Sequence, residues 1–258
     1  MTEQRQTAQA EAGRSPRRGR ILLLLLLIIF ICGFAIYRSP LFRLDSLVVI
    51  GGDRITVERV QEVAGLYPGV PRWERPASKV VELLLQEPWV ATAKARWEWN
   101  QLTVELTERR PVGLVHYHDR FYLSLDGSGV VLEQVELMEG RGLPVVSGIS
   151  LTEAVRGQRL TDQGLADALA VLAMMPERLR TEVSEVKVEE DHSLVLFMAQ
   201  GATVRWGMLP AGTAERQASV TNKVGALELF WFDEASKHGQ SCLIDLRVEG
   251  PLIASGCQ

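Results

Sequence analysis

WEWNQLTVELTERRPVG, residues 97–113, decides how the chain reads. Leu102, Val104 and Leu106 alternate with Thr103, Glu105 and Thr107, the period of a strand with one buried and one wet face. Just before it, Ala91, Ala93, Ala95, Trp97 and Trp99 alternate with Thr92, Lys94, Arg96 and Glu98. Only Asn100-Gln101 separates the runs. The spacing predicts a tight hairpin with Trp99 opposite Leu102 and Trp97 opposite Val104, all apolar residues on one face. Glu108-Arg109-Arg110-Pro111 closes the hairpin with charges and a strand breaker, and reads as a hinge between two modules.

Upstream, "LDSLVVIGG" from Leu44 reads as a strand and turn. In "ITVERVQEVAGL", Thr56 is an N-cap, Val57, Val60, Val63 and Ala64 form an apolar stripe, and Gly65 is a stop. A second helix is expected over 77–86, with Val80, Val81, Leu84 and Leu85 inward and Pro88 after it. Strand, helix, helix, strand, strand makes a small α+β unit.

Downstream, "RFYLSLDGSGVVLEQ" predicts a hairpin around Asp126-Gly127, and "LPVVSG" a short strand. A helix over 162–175 carries Leu165, Ala168, Leu169, Leu172 and Met175. Three strands follow within 183–207. A last helix over 214–231 presents Val220, Val224, Leu227 and Trp231, and "CLIDLRVEG" closes as an alternating strand. This second unit is expected to be a mostly antiparallel sheet with two helices.

Charge is unevenly distributed. Residues 1–20 hold five arginines against two glutamates, residues 21–37 carry no charge, and the remainder is acidic, with 23 basic and 30 acidic groups. The uncharged "ILLLLLLIIFICGFAIY" would make about 26 Å of helix, the short end of what a hydrocarbon core of roughly 30 Å requires. Ile21, Leu22, Leu23, Leu24, Ile28, Phe30 and Phe34 are its membrane-facing residues, with Tyr37 as interfacial aromatic. Four arginines lie just before it and Arg38 and Arg43 just after, so the short N-terminus is expected in the cytoplasm and the acidic body outside. The rival reading is a cleaved signal peptide; its apolar region would be unusually long, and Ala35 is followed by Ile-Tyr-Arg, not a plausible mature start. The arginine-rich tail has no interleaved aromatics for base stacking, so no nucleic-acid partner is expected.

Motifs for chemistry are few. The chain has no phosphate loop, HExxH or GxSxG. His116 and His118 would share one strand face with Asp119 next, the start of a metal site for an extracytoplasmic metal-assisted hydrolase, or simply a solvated strand edge. Cys32 lies in the apolar segment. Cys242 and Cys257 pair only if the tail folds back beside the last strand, and otherwise remain thiols. No cofactor and no small-molecule substrate are expected.

The arrangement resembles the FtsQ/DivIB family of bacterial cell-division proteins. "FRLDSLVVIGGDRITVERVQEVAGL" and "LTVELTERRPVGLV" resemble the family's POTRA domain and its exit, with Asn100-Gln101 where a proline is often found. "YLSLDGSGVVLE", "LPVVSG", "VSEVKV" and "CLIDLRVEG" resemble landmarks of its β domain, in the same order. The resemblance implies a basic cytoplasmic tail over 1–20, a transmembrane helix over 21–37, a POTRA domain over 42–112, a β domain over 113–250 and a C-terminal tail over 251–258. It also implies a non-enzymatic divisome component at the septum of the cell membrane, whose partners are the lipid bilayer and proteins of the FtsB/DivIC and FtsL type. Partner binding is expected by strand addition at the final strand "LIDLRV", through Arg247, Val248, Glu249, Gly250 and Leu252, with Gly250-Pro251 ending the pairing.

Overall fold

A computed structural model describes residues 16–118, 120–136, 142–151, 153–233, 243–247 and 253–255. Among the described residues, twelve strands and six α-helices are arranged in two compact units, an α+β fold.

The first unit comprises the described residues up to Ile50, with Thr56–Val81 and Lys94–Glu105. Helix α1, Pro16–Arg38, includes one stretch, Arg20–Arg38, long and apolar enough to cross a membrane. Its 19 residues make about 29 Å of helix, two residues more than the uncharged run alone. Ile21, Leu22, Leu23, Leu24, Ile28, Phe30, Phe34 and Tyr37 are all exposed, as a lipid-facing helix requires. Arg38 folds back over the Phe34 ring at 5.7 Å, the posture of a cation reaching out of an apolar span.

Strand β1 (Ser46–Ile50), helices α2 (Val57–Ala64) and α3 (Ala77–Leu84), and strands β2 (Val90–Glu98) and β3 (Gln101–Glu108) follow in the expected order. The sheet order is β1-β3-β2, with β1 parallel to β3 from Ser46↔Gln101 to Ile50↔Glu105. Thr56 caps α2 by accepting from the Arg59 N–H at 3.3 Å, and Gly65 ends it at φ 61°. Leu44, Val60, Ala64, Leu66, Val70, Val80, Leu102 and Val104 are buried.

Three side chains depart from the expected pattern. The hairpin turn is Trp99-Asn100, one residue earlier than expected; Trp99 sits at φ 54° and is exposed instead of facing Leu102. A left-handed φ at a bulky residue is rare, and no sequence rule selects it. Val57 and Leu85 are also exposed. Val57 opens the first turn of α2, and Leu85 follows the last residue of α3, so neither lies on a continued helical face.

The second unit holds residues 51–55, 82–93 and the described residues from Leu106 onward. Its sheet has nine strands in the order β12-β11-β10-β9-β8-β7-β4-β5-β6. These are β4 (Pro111–His118), β5 (Phe121–Asp126), β6 (Val131–Glu136), β7 (Val145–Ser147), β8 (Val183–Val188), β9 (Leu194–Met198), β10 (Thr203–Gly207), β11 (Leu243–Asp245) and β12 (Ile253–Ser255). Five of its eight pairings are antiparallel. The parallel ones are β4–β7, β7–β8 and β10–β11. Helices α4 (Gln163–Met174), the four-residue α5 (Glu177–Arg180) and α6 (Thr213–Asp233) complete it. Asp162 caps α4 by accepting from the Leu165 N–H at 2.8 Å. Leu165, Ala168, Leu169 and Leu172 of α4 and Val220, Val224, Leu227 and Trp231 of α6 share one core with Val186, Leu196, Val204 and Ile244 of the sheet. Pro111, read as a breaker, opens β4, a position where its missing N–H is tolerated.

Candidate interaction edges of the nine-stranded sheet

An open sheet has two ends, and each presents a row of backbone donors and acceptors unless something covers it. At the β6 end, the chain covers its own edge. Val131 donates its N–H to Gln158 O at 2.9 Å and accepts from the Gly157 N–H at 2.8 Å. The Arg156 guanidinium donates from Nε to Leu132 O at 3.0 Å. Its Nη2 is held 2.8 Å from the buried Glu87 carboxylate. Residues 156–158 therefore occupy the hydrogen-bonding side of β6.

At the other end the sheet tapers, from six residues in β8 through five in β9 and β10 to three in β11 and β12. "LIDLRV" is not the edge expected from sequence. Strand β11 has neighbours on both sides: β10 in parallel, Thr203↔Leu243 to Arg205↔Asp245, and β12 antiparallel, Leu243↔Ser255 to Asp245↔Ile253. The terminal strand among the described residues is β12, formed within the expected C-terminal tail. Sequence pattern did not mark it because a proline stops one strand without forbidding another soon after it. The signal was the apolar run Leu252-Ile253-Ala254, too short to register as a period. Among the described residues, β12 pairs only with β11.

Of the five expected contact residues, only Arg247 is described; Val248, Glu249, Gly250 and Leu252 lie outside the described residues. Arg247 is exposed and wraps back on Asp245, donating from Nε to Oδ1 at 3.0 Å and from Nη2 to Oδ2 at 2.6 Å. Its backbone N–H donates to the same carboxylate at 3.0 Å. These hydrogen bonds, the Arg247 side chain first, hold the Asp245 carboxyl down at about 2. The pair therefore stays ionised at any physiological pH. Replacing Arg247 with alanine is expected to return Asp245 toward the ordinary aspartate value of 3.8, as read by an NMR titration of its side-chain carbon.

Arg247 also lies against Gly207, whose φ is 83°; a Cβ there would stand 3.0 Å from Arg247 Cγ. Glycine thus lets the arginine settle on the end of β10. Beside it opens a cleft of about 550 Å³ whose charged lining includes Glu189, Asp191, Arg205 and Lys223. A mixed-charge cleft lined from β9, β10, α6 and Arg247 can read a partner's charged side chains.

His116 and His118 are both exposed on β4, and the β4–β5 register shifts between them. The His116 ring meets Tyr122 edge-on at 5.3 Å. Asp119 lies outside the described residues, and among those described no three metal-ligating side chains converge. Cys242 and Cys257 also lie outside the described residues.

A sequence model described as "Cell division protein FtsQ/DivIB, C-terminal" matches residues 114–247, which are the sheet from β4 to the end of β11 and its helices. The chain belongs to the FtsQ/DivIB family of cell-division proteins. It is 26% identical over 180 residues to the cell division protein FtsQ of Syntrophotalea carbinolica, covering 68% of this chain and 63% of that one. Against FtsQ of Myxococcus fulvus it is 28% identical over 214 residues, covering 78% and 73%. Against DivIB of Bacillus selenitireducens it is 28% identical over 195 residues, covering 74% and 72%. The match spans just under two thirds of the Syntrophotalea protein and 59% of FtsQ from Anaeromyxobacter. Among solved structures, the major extracytoplasmic domain of DivIB from Geobacillus stearothermophilus, in its trans isomer, is similar over 38% of this chain and 76% of that one. The identity there is 21% and the TM-score 0.28.

Proposed function

We propose that this protein is a non-catalytic scaffold of the division machinery. It is anchored by α1 and captures other membrane-bound division proteins by adding a strand of theirs to the outer edge of β12. The observation that carries the reading is the asymmetry of the large sheet. One end is closed by residues 156–158, and the other ends in a three-residue strand with one neighbour among the described residues. Strand addition supplies affinity through backbone hydrogen bonds and specificity through alternate side chains. Arg247, two residues after the β11 residue that pairs with Ile253, also lines the cleft. The family supports a divisome role, and the resemblance supplies the partner type, heads like those of FtsB/DivIC and FtsL. The arginines before α1 support a cytoplasmic N-terminus and an extracytoplasmic body at the septum. In this reading residues 42–112 act as the POTRA module and 113–250 as the β domain.

The test uses the full chain in bilayer nanodiscs and a partner head of the FtsB/DivIC type. Val248→Glu and Leu252→Glu each add a carboxylate in the sequence between β11 and β12. Loss of one interface anchor of this kind costs about 2 kcal/mol, so the affinity should fall about 30-fold. Capture at unchanged affinity by both variants overturns the proposed edge.

A further inference from the structure

Where α1 leaves its apolar stretch, the first unit closes a loop against the exit. Tyr37, on the last turn of the span, stacks on Trp73 with ring centroids 5.0 Å apart and planes inclined by 23°. Residues 42–44 and 69–72 are joined by three backbone hydrogen bonds: Gly69 N–H to Leu44 O at 2.7 Å, Leu44 N–H to Val70 O at 2.8 Å, and Arg72 N–H to Phe42 O at 2.9 Å. The Arg43 guanidinium adds a bond to Gly69 O at 3.2 Å. The position of the loop along the membrane normal is thereby tied to that of the helix. A ring that stacks on the last turn of a bilayer-crossing helix lies at the depth of that turn, which is the headgroup layer.

The chemistry of the loop suits that layer. Trp73, Tyr67 and Leu41 are exposed, large and apolar, although the unit has a core to bury such side chains. Tryptophan and tyrosine combine an apolar ring with a polar tip and concentrate at membrane–water interfaces. Arg38, Arg43 and Arg72 stand in the same stretches of chain, against Asp45 and Glu74. A net positive set of this kind is attracted to phosphate headgroups.

We infer that residues 66–76 form a foot that seats on the lipid headgroup layer at the C-terminal end of α1, with Trp73 as its anchor. The occupant of this surface is the bilayer itself. The foot holds the first unit flat on the membrane, so its other faces are the ones presented to proteins. The inference rests on α1 being a membrane span, and the test separates the two.

The full chain, with Cys32, Cys242 and Cys257 changed to alanine, is reconstituted in phosphatidylglycerol–phosphatidylcholine vesicles. A nitroxide is placed by Leu27→Cys in mid-span, by Glu74→Cys beside the anchor, or by Ser78→Cys on α3. Relative accessibility to oxygen and to a nickel chelate reads depth. The expected order is deepest at 27, interfacial at 74 and aqueous at 78. Adding Trp73→Ala to the Glu74→Cys chain should move its label to the aqueous value, and Trp73→Phe should largely restore the interfacial one. A label at 74 as aqueous as that at 78, while 27 is deep, overturns the foot and leaves the span intact. A label at 27 that reads aqueous overturns both. A label at 74 shielded from nickel and oxygen alike also overturns the inference, since that signature means a protein partner covers the loop.

Discussion

Gly148→Ala should destabilise the large unit by about 4 kcal/mol, enough to reduce or abolish its folded population. Gly148 follows β7 at φ 81°, and a Cβ added there would stand 2.0 Å from the Val188 carbonyl oxygen and 3.0 Å from its carbon. Two costs add. A non-glycine residue in the left-handed region carries roughly 1–3 kcal/mol of strain, and forcing backbone apart in a packed sheet carries a similar amount. Flexible side chains yield to an added methyl group, but here the obstacle is the main chain at the end of β8. Strands β7 and β8 pair in parallel from Val145↔Glu185 to Ser147↔Lys187, so relief requires opening that ladder. Urea denaturation followed by circular dichroism measures the difference. A loss under 1 kcal/mol would mean that the β7–β8 junction is placed wrongly.

Asp126→Ala is the second large effect, at about 3 kcal/mol. Its carboxylate organises the β5–β6 turn, accepting from Val130 N–H at 2.8 Å, from Ser128 N–H at 2.9 Å and from Arg109 Nη1 at 2.7 Å. Removing it strands two backbone donors and a guanidinium whose Nε is already buried without a partner among the described residues. Bonds to a charged acceptor and a half-buried cation together account for the estimate. Burial raises the carboxyl's pKa, but the bonds from Val130, Arg109 and Ser128 outweigh it and hold the group below the ordinary aspartate value of 3.8. A carboxyl with a depressed folded-state pKa contributes stability that is complete above its unfolded value and is lost as pH falls through the folded one. The wild-type protein should therefore lose part of its stability as pH drops below about 3.8, and Asp126→Ala should flatten that part of the curve.

Both residues show what a sequence can convey and where it stops. The Asp126-Gly127 turn announced itself by composition, and so did the Thr56 and Gly65 caps, because a cap is a local contract between a few neighbours. The apolar stripes of α4 and α6 were legible for the same reason: burial on one face repeats at 3.6 residues. Pairings between distant residues left no such trace. Glu87 and Arg156 are 69 positions apart and meet beneath the β6 edge, yet each reads as an ordinary surface charge in the string. The sheet order was equally hidden. Strand β7 runs parallel between β4 and β8, and β11 returns beside β10 only after the whole of α6. That second fact moved the candidate docking strip from Arg247 and its neighbours to β12. The exposure of His116 and His118 was legible, but the register shift between them in the β4–β5 ladder was not, because a bulge leaves no period in the string.

The separation of β10 from β11 bears on the order in which the fold is made. Strands β4 to β10 can pair as soon as they emerge, because each has its partner within reach behind it. Strand β11 must wait until α6 has been synthesised and docked, and β12 waits for β11. The interaction strip is therefore assembled after the rest of the sheet, so a nascent or half-folded copy lacks it. Under the proposed reading, a molecule captures its partner only once β11 and β12 are in place.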